Sequence, residues 1–532
     1  MKPWRLFQSD RPSDSRPRIR LGVESLEGRT LLSTAHAKVV SPPAAYKPPP
    51  HAKEQFPPYD INPKIESPTD GGRAGTIFQG DVVVGGYAFP YSTIWLAQGL
   101  RPGYFLNIAQ ANASGHYAFV VPAGQGTTVY QVFAENSVQD YSRVDQLTVN
   151  RGNPIEAWDS VALHAIQVEG LPAAEAARDL AILHAAQYDA VSDATNPAQA
   201  YQVHLSSPAG TSAEAAADAS AAAVLTALFP SQSASFASDE LSAISGLPKT
   251  TATSDGIALG QKVAVQTLAN RSNDGSAANL ILPGSTLPGL WRPTPPTNSP
   301  AVDPRFARVT PFAIASPSAF RPAAPPAVGT AAYDQALSQV SSLGRTGSKT
   351  RTADQTAAAR YWDDGAGTIT DPGHWNAIAE QISLARHDSL ATDARLFAEL
   401  DFALADAAIA SADAQTTYDE WRPITAVNQV DPSFVPLLVT PSSPSYVSDN
   451  AAYGAAAAQV LTSAFGSNTH FSDATGSTTG KSRSFASFNS AATENAQSRV
   501  WGGVNFAFDA QAGITLGGQV GKAVIAAFPK SK

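Results

Sequence analysis

Two arginines and a serine are the side chains best suited to chemistry in this sequence. Arg422 lies in Gln415-Thr416-Thr417-Tyr418-Asp419-Glu420-Trp421-Arg422-Pro423, Ser448 in Val447-Ser448-Asp449-Asn450, and Arg499 in Ser498-Arg499-Val500-Trp501-Gly502-Gly503-Val504-Asn505-Phe506-Ala507-Phe508-Asp509. Guanidinium forks and a serine hydroxyl can hold a small oxyanion through charge-assisted hydrogen bonds. The residues beside them are amides. An amide nitrogen has its lone pair delocalised into the carbonyl, and the oxygen is a poor nucleophile, so Asn505 is a weak ligand and a weak nucleophile. Asn450 cannot shuttle a proton near pH 7, a role worth ~10²–10⁴-fold in rate. Asp449, next to Ser448, adds negative charge. Asp509, four residues after Asn505, can hydrogen-bond its amide. The plainer reading is that Arg422 and Arg499 tie helices together through buried ion pairs. Gln415 lies eleven residues after Leu404, on the same helical face, and a buried neutral amide costs less than an unpaired lysine.

Helices must position these residues. Asp371, with Pro372 at the first helical position, is expected to cap a helix through Arg386. Thr392 is expected to cap the next, whose Leu396, Leu400, Leu404 and Ala408 mark one buried stripe. Ser212 should cap an Ala-rich helix that runs to Phe229 and stops at Pro230. A loop with 12 prolines spans 281–330, and the region from 151 onward reads as all-α. Before it, residues 70–150 carry Val82-Val83-Val84, Thr93-Ile94-Trp95-Leu96, Tyr117-Ala118-Phe119-Val120-Val121 and Thr128-Val129-Tyr130-Gln131-Val132-Phe133 between Gly, Asn and Ser turns. That spacing predicts about seven strands of an Ig-like β-sandwich. Residues 34–69 hold nine prolines and read as an extended linker.

The length of 532 residues implies more than one domain, and 43% hydrophobic residues can build a sizeable core. A net charge of −9 argues against nucleic acid as the partner. The absence of cysteine excludes disulfides, thiolate catalysis and Cys-bound metals. No stretch approaches the ~18–20 apolar residues of a membrane span. Residues 1–33 are basic and contain Val23-Glu24-Ser25-Leu26-Glu27-Gly28-Arg29-Thr30-Leu31-Leu32-Ser33. This segment resembles a leader of exported bacterial surface proteins, or reads equally as a disordered basic tail; the Pro-rich stretch after it favours export, to an extracellular or cell-surface location.

The three motifs together resemble those of vanadium-dependent haloperoxidases and the type 2 phosphatidic-acid phosphatases, K-x6-R-P, P-S-G-H and S-R-x5-H-x3-D. Leu183-His184-Ala185-Ala186-Gln187-Tyr188-Asp189, Arg360-Tyr361-Trp362-Asp363-Asp364-Gly365 and Asp371-Pro372-Gly373-His374-Trp375-Asn376 resemble flanking segments of the bacterial haloperoxidase-like members. The resemblance spans 151–532 and implies a helical bundle with a vanadate or phosphate site. It assigns anion binding to Gln415, Arg422, Ser448, Asp449 and Arg499, acid–base work to Asn450, the vanadate-ligand or nucleophile position to Asn505, and its orientation to Asp509. The sequence departs from the family at the decisive points: the lysine is Gln415, the glycine Asp449, and the two histidines Asn450 and Asn505. The expectation is an exported, multidomain protein, an all-α haloperoxidase-like bundle preceded by a small all-β Ig-like sandwich, with a degenerate site and no resident cofactor. Two alternatives stand beside it. One is an active enzyme with vanadate, oxidising halide with peroxide or hydrolysing phosphate esters through a displaced site. The other is an adhesion or scaffold protein. His387 and His470, each in a polar segment, are the nearest substitutes for the missing histidines and are expected at the surface. His184 and His374 are expected to be structural. A small oxyanion is the one partner the motifs imply.

Overall fold

The computed structural model describes residues 152–473 and 482–529, together with seven strands between Lys64 and Arg151. The leader-like segment, and the linker as far as residue 63, lie outside the described residues. The strands are β1 (Lys64–Ser67), β2 (Asp81–Tyr87), β3 (Thr93–Gln98), β4 (Phe105–Gln110), β5 (His116–Pro122), β6 (Gly126–Glu135) and β7 (Asp145–Arg151). They form two sheets, in the orders β1-β2-β5 and β4-β3-β6-β7, and the paired neighbours run antiparallel. Ile94 and Leu96 alternate onto a buried face of β3, and Leu96 pairs across the ladder with buried Val132. β1 falls inside the Pro-rich segment. It occupies the four residues between Pro63 and Pro68 and takes an edge position, where a flanking proline interrupts no ladder.

Helices dominate from residue 154. They are α1 (Pro154–Glu169), α2 (Ala173–Thr195), α3 (Ala213–Leu228), α4 (Ser233–Ser245), α5 (Thr251–Arg271), α6 (Ala331–Leu343) and α7 (Ala353–Tyr361). α8 (Thr370–Arg386), α9 (Leu390–Tyr418), α10 (Pro423–Val427) and α11 (Asp449–Phe465) follow, then α12 (Phe488–Trp501) and α13 (Ala507–Ala527). Ser212 caps α3 as its sequence implies, accepting from the Ala215 N–H. The region is not purely helical: β8 (Phe471–Asp473) and β9 (Arg483–Phe485) pair between α11 and α12. Phe471 and Phe485 stack across this short ribbon, and their alternation is too brief to stand out in the sequence.

α9 is the axis of the bundle. It is buried on nearly all sides from Asp393 to Gln415, whereas the leucine spacing implied a single stripe. Its cap is Ser389, whose hydroxyl accepts from the Thr392 N–H, so Thr392 lies inside the helix. The alanine excess has a packing use here. Alanines of α9, α11 and α3 fill the core, where small side chains let helices approach. Closest of all is α13 on α11. A methyl at Gly513 would meet the Ser448 carbonyl at 2.3 Å, and one at Gly517 would meet the Ala452 carbonyl at 2.0 Å. Glycine at every fourth position therefore seats α13 directly on the start of α11.

Candidate functional site

The site forms where α9 ends and α11 begins. Asp419 closes α9 in the left-handed region at φ 47°, and its N–H returns to the Gln415 carbonyl. Asp is among the residues that tolerate this conformation. The chain then turns through Glu420 and Trp421, held by the Pro-rich loop. Trp291 N–H donates to the Asp419 carbonyl at 2.7 Å, and Trp421 N–H to the Gly289 carbonyl at 3.0 Å. Arg422 follows, fully buried, just ahead of α10. Its Nε donates to the Ser443 carbonyl at 2.7 Å, Nη2 to Ser443 Oγ at 2.7 Å and Nη1 to the Val504 carbonyl at 3.0 Å. Among the described residues no carboxylate lies within ion-pair distance of it, so carbonyls, not the expected ion pair, tie this arginine into the core.

The amides are used in the same way. Gln415 Nε2 donates to the Val447 carbonyl at 3.0 Å, pinning α9 to the residue before Ser448. Ser448 caps α11, and its N–H donates to the Asp509 carbonyl at 3.2 Å. Asn505 Nδ2 donates to the Ser445 carbonyl at 2.8 Å and to Asp509 Oδ2 at 3.3 Å. Asp509 Oδ2 also accepts from Ser445 Oγ at 2.5 Å and from the Phe506 N–H at 2.8 Å. Asn450 is half-buried, and its Nδ2 donates to Asp371 Oδ2 at 2.5 Å. Asp371 therefore does not cap α8, which begins at Thr370. It is buried and also accepts from Asn495 Nδ2 at 3.1 Å, joining α8, α11 and α12. Arg499 pairs with Asp363 at 3.5 Å and donates from Nη1 to the Trp362 carbonyl at 3.3 Å. Its Nε is buried without a partner.

Burial pushes the Arg422 guanidinium down to about 10; Arg499 pushes the same way, while Asp449, Asp509 and Glu420 oppose. Arg499, Asp449 and Asp509 of the motifs thus all act on Arg422. Burial, reinforced by Asp364, raises Asp371 to about 7. Glu420 and Asp509 are both raised, by burial first, and Asp509 pushes Glu420 up further. Asn495, Ser445 and Glu420 were not singled out in the sequence, and Asp371 reads there as a helix cap and not as a site residue. Only the position of Asp371 in a family-like segment, and of Glu420 two residues before Arg422, hinted at them.

Among the described residues no histidine replaces the missing ones. His387 and His470 are exposed. His184 is fully buried against Asp401. His374 lies one turn from Asp371, but both ring nitrogens are engaged, Nδ1 with Asp364 at 2.8 Å and Nε2 with Asp473 at 2.9 Å. Among the described residues no group of three His, Cys, Asp or Glu side chains could hold a metal ion, and no helix is long and apolar enough to cross a membrane.

Residues 395–530 match the family model of the VCPO second helical-bundle domain. The first bacterial vanadium-dependent iodoperoxidase aligns over 71% of this chain and 96% of its own, at 27% identity and a TM-score of 0.65. The helical region belongs to the vanadium haloperoxidase-like superfamily. A holo-type bacterial vanadium-dependent chloroperoxidase shares the fold at 18% identity, TM-score 0.54, over 66% of this chain and 92% of its own. Its apo-type counterpart does so at 17%, TM-score 0.53, over 65% and 92%. No curated protein matches the sequence. In this chain the side chains of Gln415, Arg422 and Asn505 turn inward to backbone carbonyls.

Proposed function

We propose that this chain is an exported haloperoxidase-like protein whose oxyanion site has become a self-satisfied polar core, without vanadate-dependent catalysis. The reading rests on one observation above all. The amide nitrogens of Gln415 and Asn505 are spent on the Val447 and Ser445 carbonyls, where an anion-binding site would aim donors at a ligand. The donor set does not fit vanadate. A vanadium ligand must offer a basic lone pair, and the amide at 505 offers none. Proton transfer fails separately, because Asn450 is a donor to Asp371 and has no titrating nitrogen. Strands β1–β7 are read as an Ig-like module that spaces or displays the bundle outside the cell. A scaffold role needs no chemistry from the bundle.

One observation favours a second, weaker activity. Arg499 Nε is a buried donor without a partner, so the site can still take a small oxyanion non-covalently. Calorimetry with vanadate and with inorganic phosphate should then give at most millimolar binding. Bromide oxidation assayed with vanadate and hydrogen peroxide should be absent in the native protein, and measurable turnover would overturn the proposal. The combined variant Gln415→Lys, Asp449→Gly, Asn450→His and Asn505→His should gain vanadate binding, while any one change alone restores little because the defects act at different steps. A folded quadruple variant that binds no vanadate would trace the loss to the pocket's shape and not its ligands.

A further inference from the structure

The seam between α1 and the bundle is lined with acids on both sides. α1 begins two residues after β7, capped by Asn153, and lies against α2, α3, α8 and α9. Its inner face presents Glu156 and Asp159, both buried. Facing them are Asp393 and Asp401 of α9, Glu380 of α8, Asp388 in the turn between those helices, Asp218 of α3 and His184 of α2. Asp218 accepts from Trp158 Nε1 at 3.0 Å. His184 points Nδ1 at Asp401 and holds Nε2 3.9 Å from Asp159. Asp393 takes Ser383 Oγ and Asn153 Nδ2, and Glu380 takes Ser160 Oγ at 2.9 Å.

Asp159 and the His184 Nε2 that faces it are the exceptions in this seam; Asp159 is the acid among them. It is fully buried, and neither of its carboxylate oxygens has a hydrogen-bond donor. Buried oxygens are almost always satisfied. Its carboxylate neighbour Glu380 cannot donate while both are ionised, but one proton shared between the two supplies the missing bond. Glu156, by contrast, accepts from the Asn153 N–H at 2.9 Å in the capping box of α1, and Asp393 has Ser383 and Asn153 as donors.

We propose that α1 is a proton-dependent latch: it is docked while the Asp159–Glu380 pair shares a proton, and it loosens from α8 and α9 when both acids ionise. Burial, followed by Glu380 and Asp401, raises Asp159, and burial with Asp393 raises Glu156 to about 8. An acid raised in the docked state favours docking at low pH, and that contribution is lost as pH rises through its elevated docked-state pKa. Because β7 leads straight into α1, the latch would govern how firmly the strand region is held to the bundle.

The test is hydrogen–deuterium exchange on the full chain at pH 5.5 and pH 9, with exchange times rescaled for the intrinsic rate. Protection of the α1 amides should fall at least tenfold at the higher pH, while α9 and α11 stay unchanged. The double variant Glu156→Gln and Asp159→Asn removes both titrating acids of α1 and places an amide donor where the shared proton sits, and should keep α1 protected at both pH values. Equal α1 protection in the parent at the two pH values would overturn the proposal whether or not the variant folds. So would a pH dependence that survives in the double variant, or in Glu380→Gln.

Discussion

Gln415→Lys tests whether the core is self-satisfied. In a working anion site a lysine here would be stabilised by the ligand. In this structure it would bury an ammonium at the end of α9, with the Val447 carbonyl as its acceptor. The cost can be read from Arg422, a buried cation of the same motif, whose pKa is pushed from 12.5 down to about 10. At about 1.4 kcal/mol per unit, that environment penalises a cation by about 3 kcal/mol. With unfolding entropy near 2 cal/mol/K per residue over the helical region, the melting temperature should fall by about 4 °C. The sign with pH follows. A lysine depressed below its ordinary ~10.4 destabilises fully at neutral pH, and the loss shrinks as pH rises from about 8 toward 10. If the lysine also rebuilds an oxyanion site with a Kd near 1 mM, 10 mM phosphate should return about 1.4 kcal/mol, roughly 2 °C. Scanning calorimetry of parent and variant, with and without phosphate and across pH, measures all three effects. A variant as stable as the parent at pH 7 without anion would refute the reasoning, because it would show that the site accommodates a third cation unaided.

Two further outcomes follow from the packing. Gly517→Ala should cost at least ~3 kcal/mol, since its methyl would meet the Ala452 backbone at 2.0 Å, whereas Gly518→Ala, with nothing within 4 Å, should be neutral or stabilising by up to ~1 kcal/mol. Denaturant titrations of the two variants separate close helix approach from helix propensity. His374 is held between Asp364 and Asp473; burial opposes its charge, but the two carboxylates outweigh it and raise the imidazole to about 10. That contribution to stability is complete below pH ~6.5 and is lost as pH rises through about 10. The melting temperature of His374→Gln should therefore fall furthest below the parent in mild acid and approach it near pH 10, and a constant difference would refute the imidazolium clamp.

What the sequence made legible was the part set by local pattern and by residue type. Ser212 could be read as a cap because a serine before an Ala-rich run has one common use. Gln415, Arg422, Ser448, Asn450, Arg499 and Asn505 could be expected together because three spaced motifs fell in register. The failures share a cause. Asp371 before Pro372 looked like a cap, yet its carboxylate is recruited by Asn450 and Asn495, from helices about 80 and 120 residues further along the chain. Ser389, not Thr392, caps α9, since both fit the local rule and tertiary context chose. The stripe on α9 widened to full burial because the alanines between the leucines pack as well as the leucines do. The Gly513, Gly517 and Gly521 spacing was visible, but its meaning depends on α11 being the neighbour.

The substitutions at the site are best understood as a set, through charge. The family pattern that this chain resembles has a lysine at 415 and a glycine at 449. Replacing them with Gln and Asp removes one positive charge and adds one negative, a change of two units. A phosphate-like oxyanion carries about that charge near pH 7, roughly −1.5 to −2. On the proposed reading, the chain supplies from its own residues the negative charge that a bound oxyanion would have brought. The buried guanidiniums of Arg422 and Arg499 can then persist without a ligand, with Asp449 and Asp509 acting on Arg422 and carbonyls taking its N–H groups. The same balance explains why partial repair should fail. Restoring the lysine alone leaves an excess of positive charge in a buried site. The single change Asn505→His places an imidazole where the Ser445 carbonyl and Asp509 now hold an amide, and leaves the field around it unsuited to an anion. Only changes that restore both the charge and the basic nitrogens return the site to one that needs a ligand.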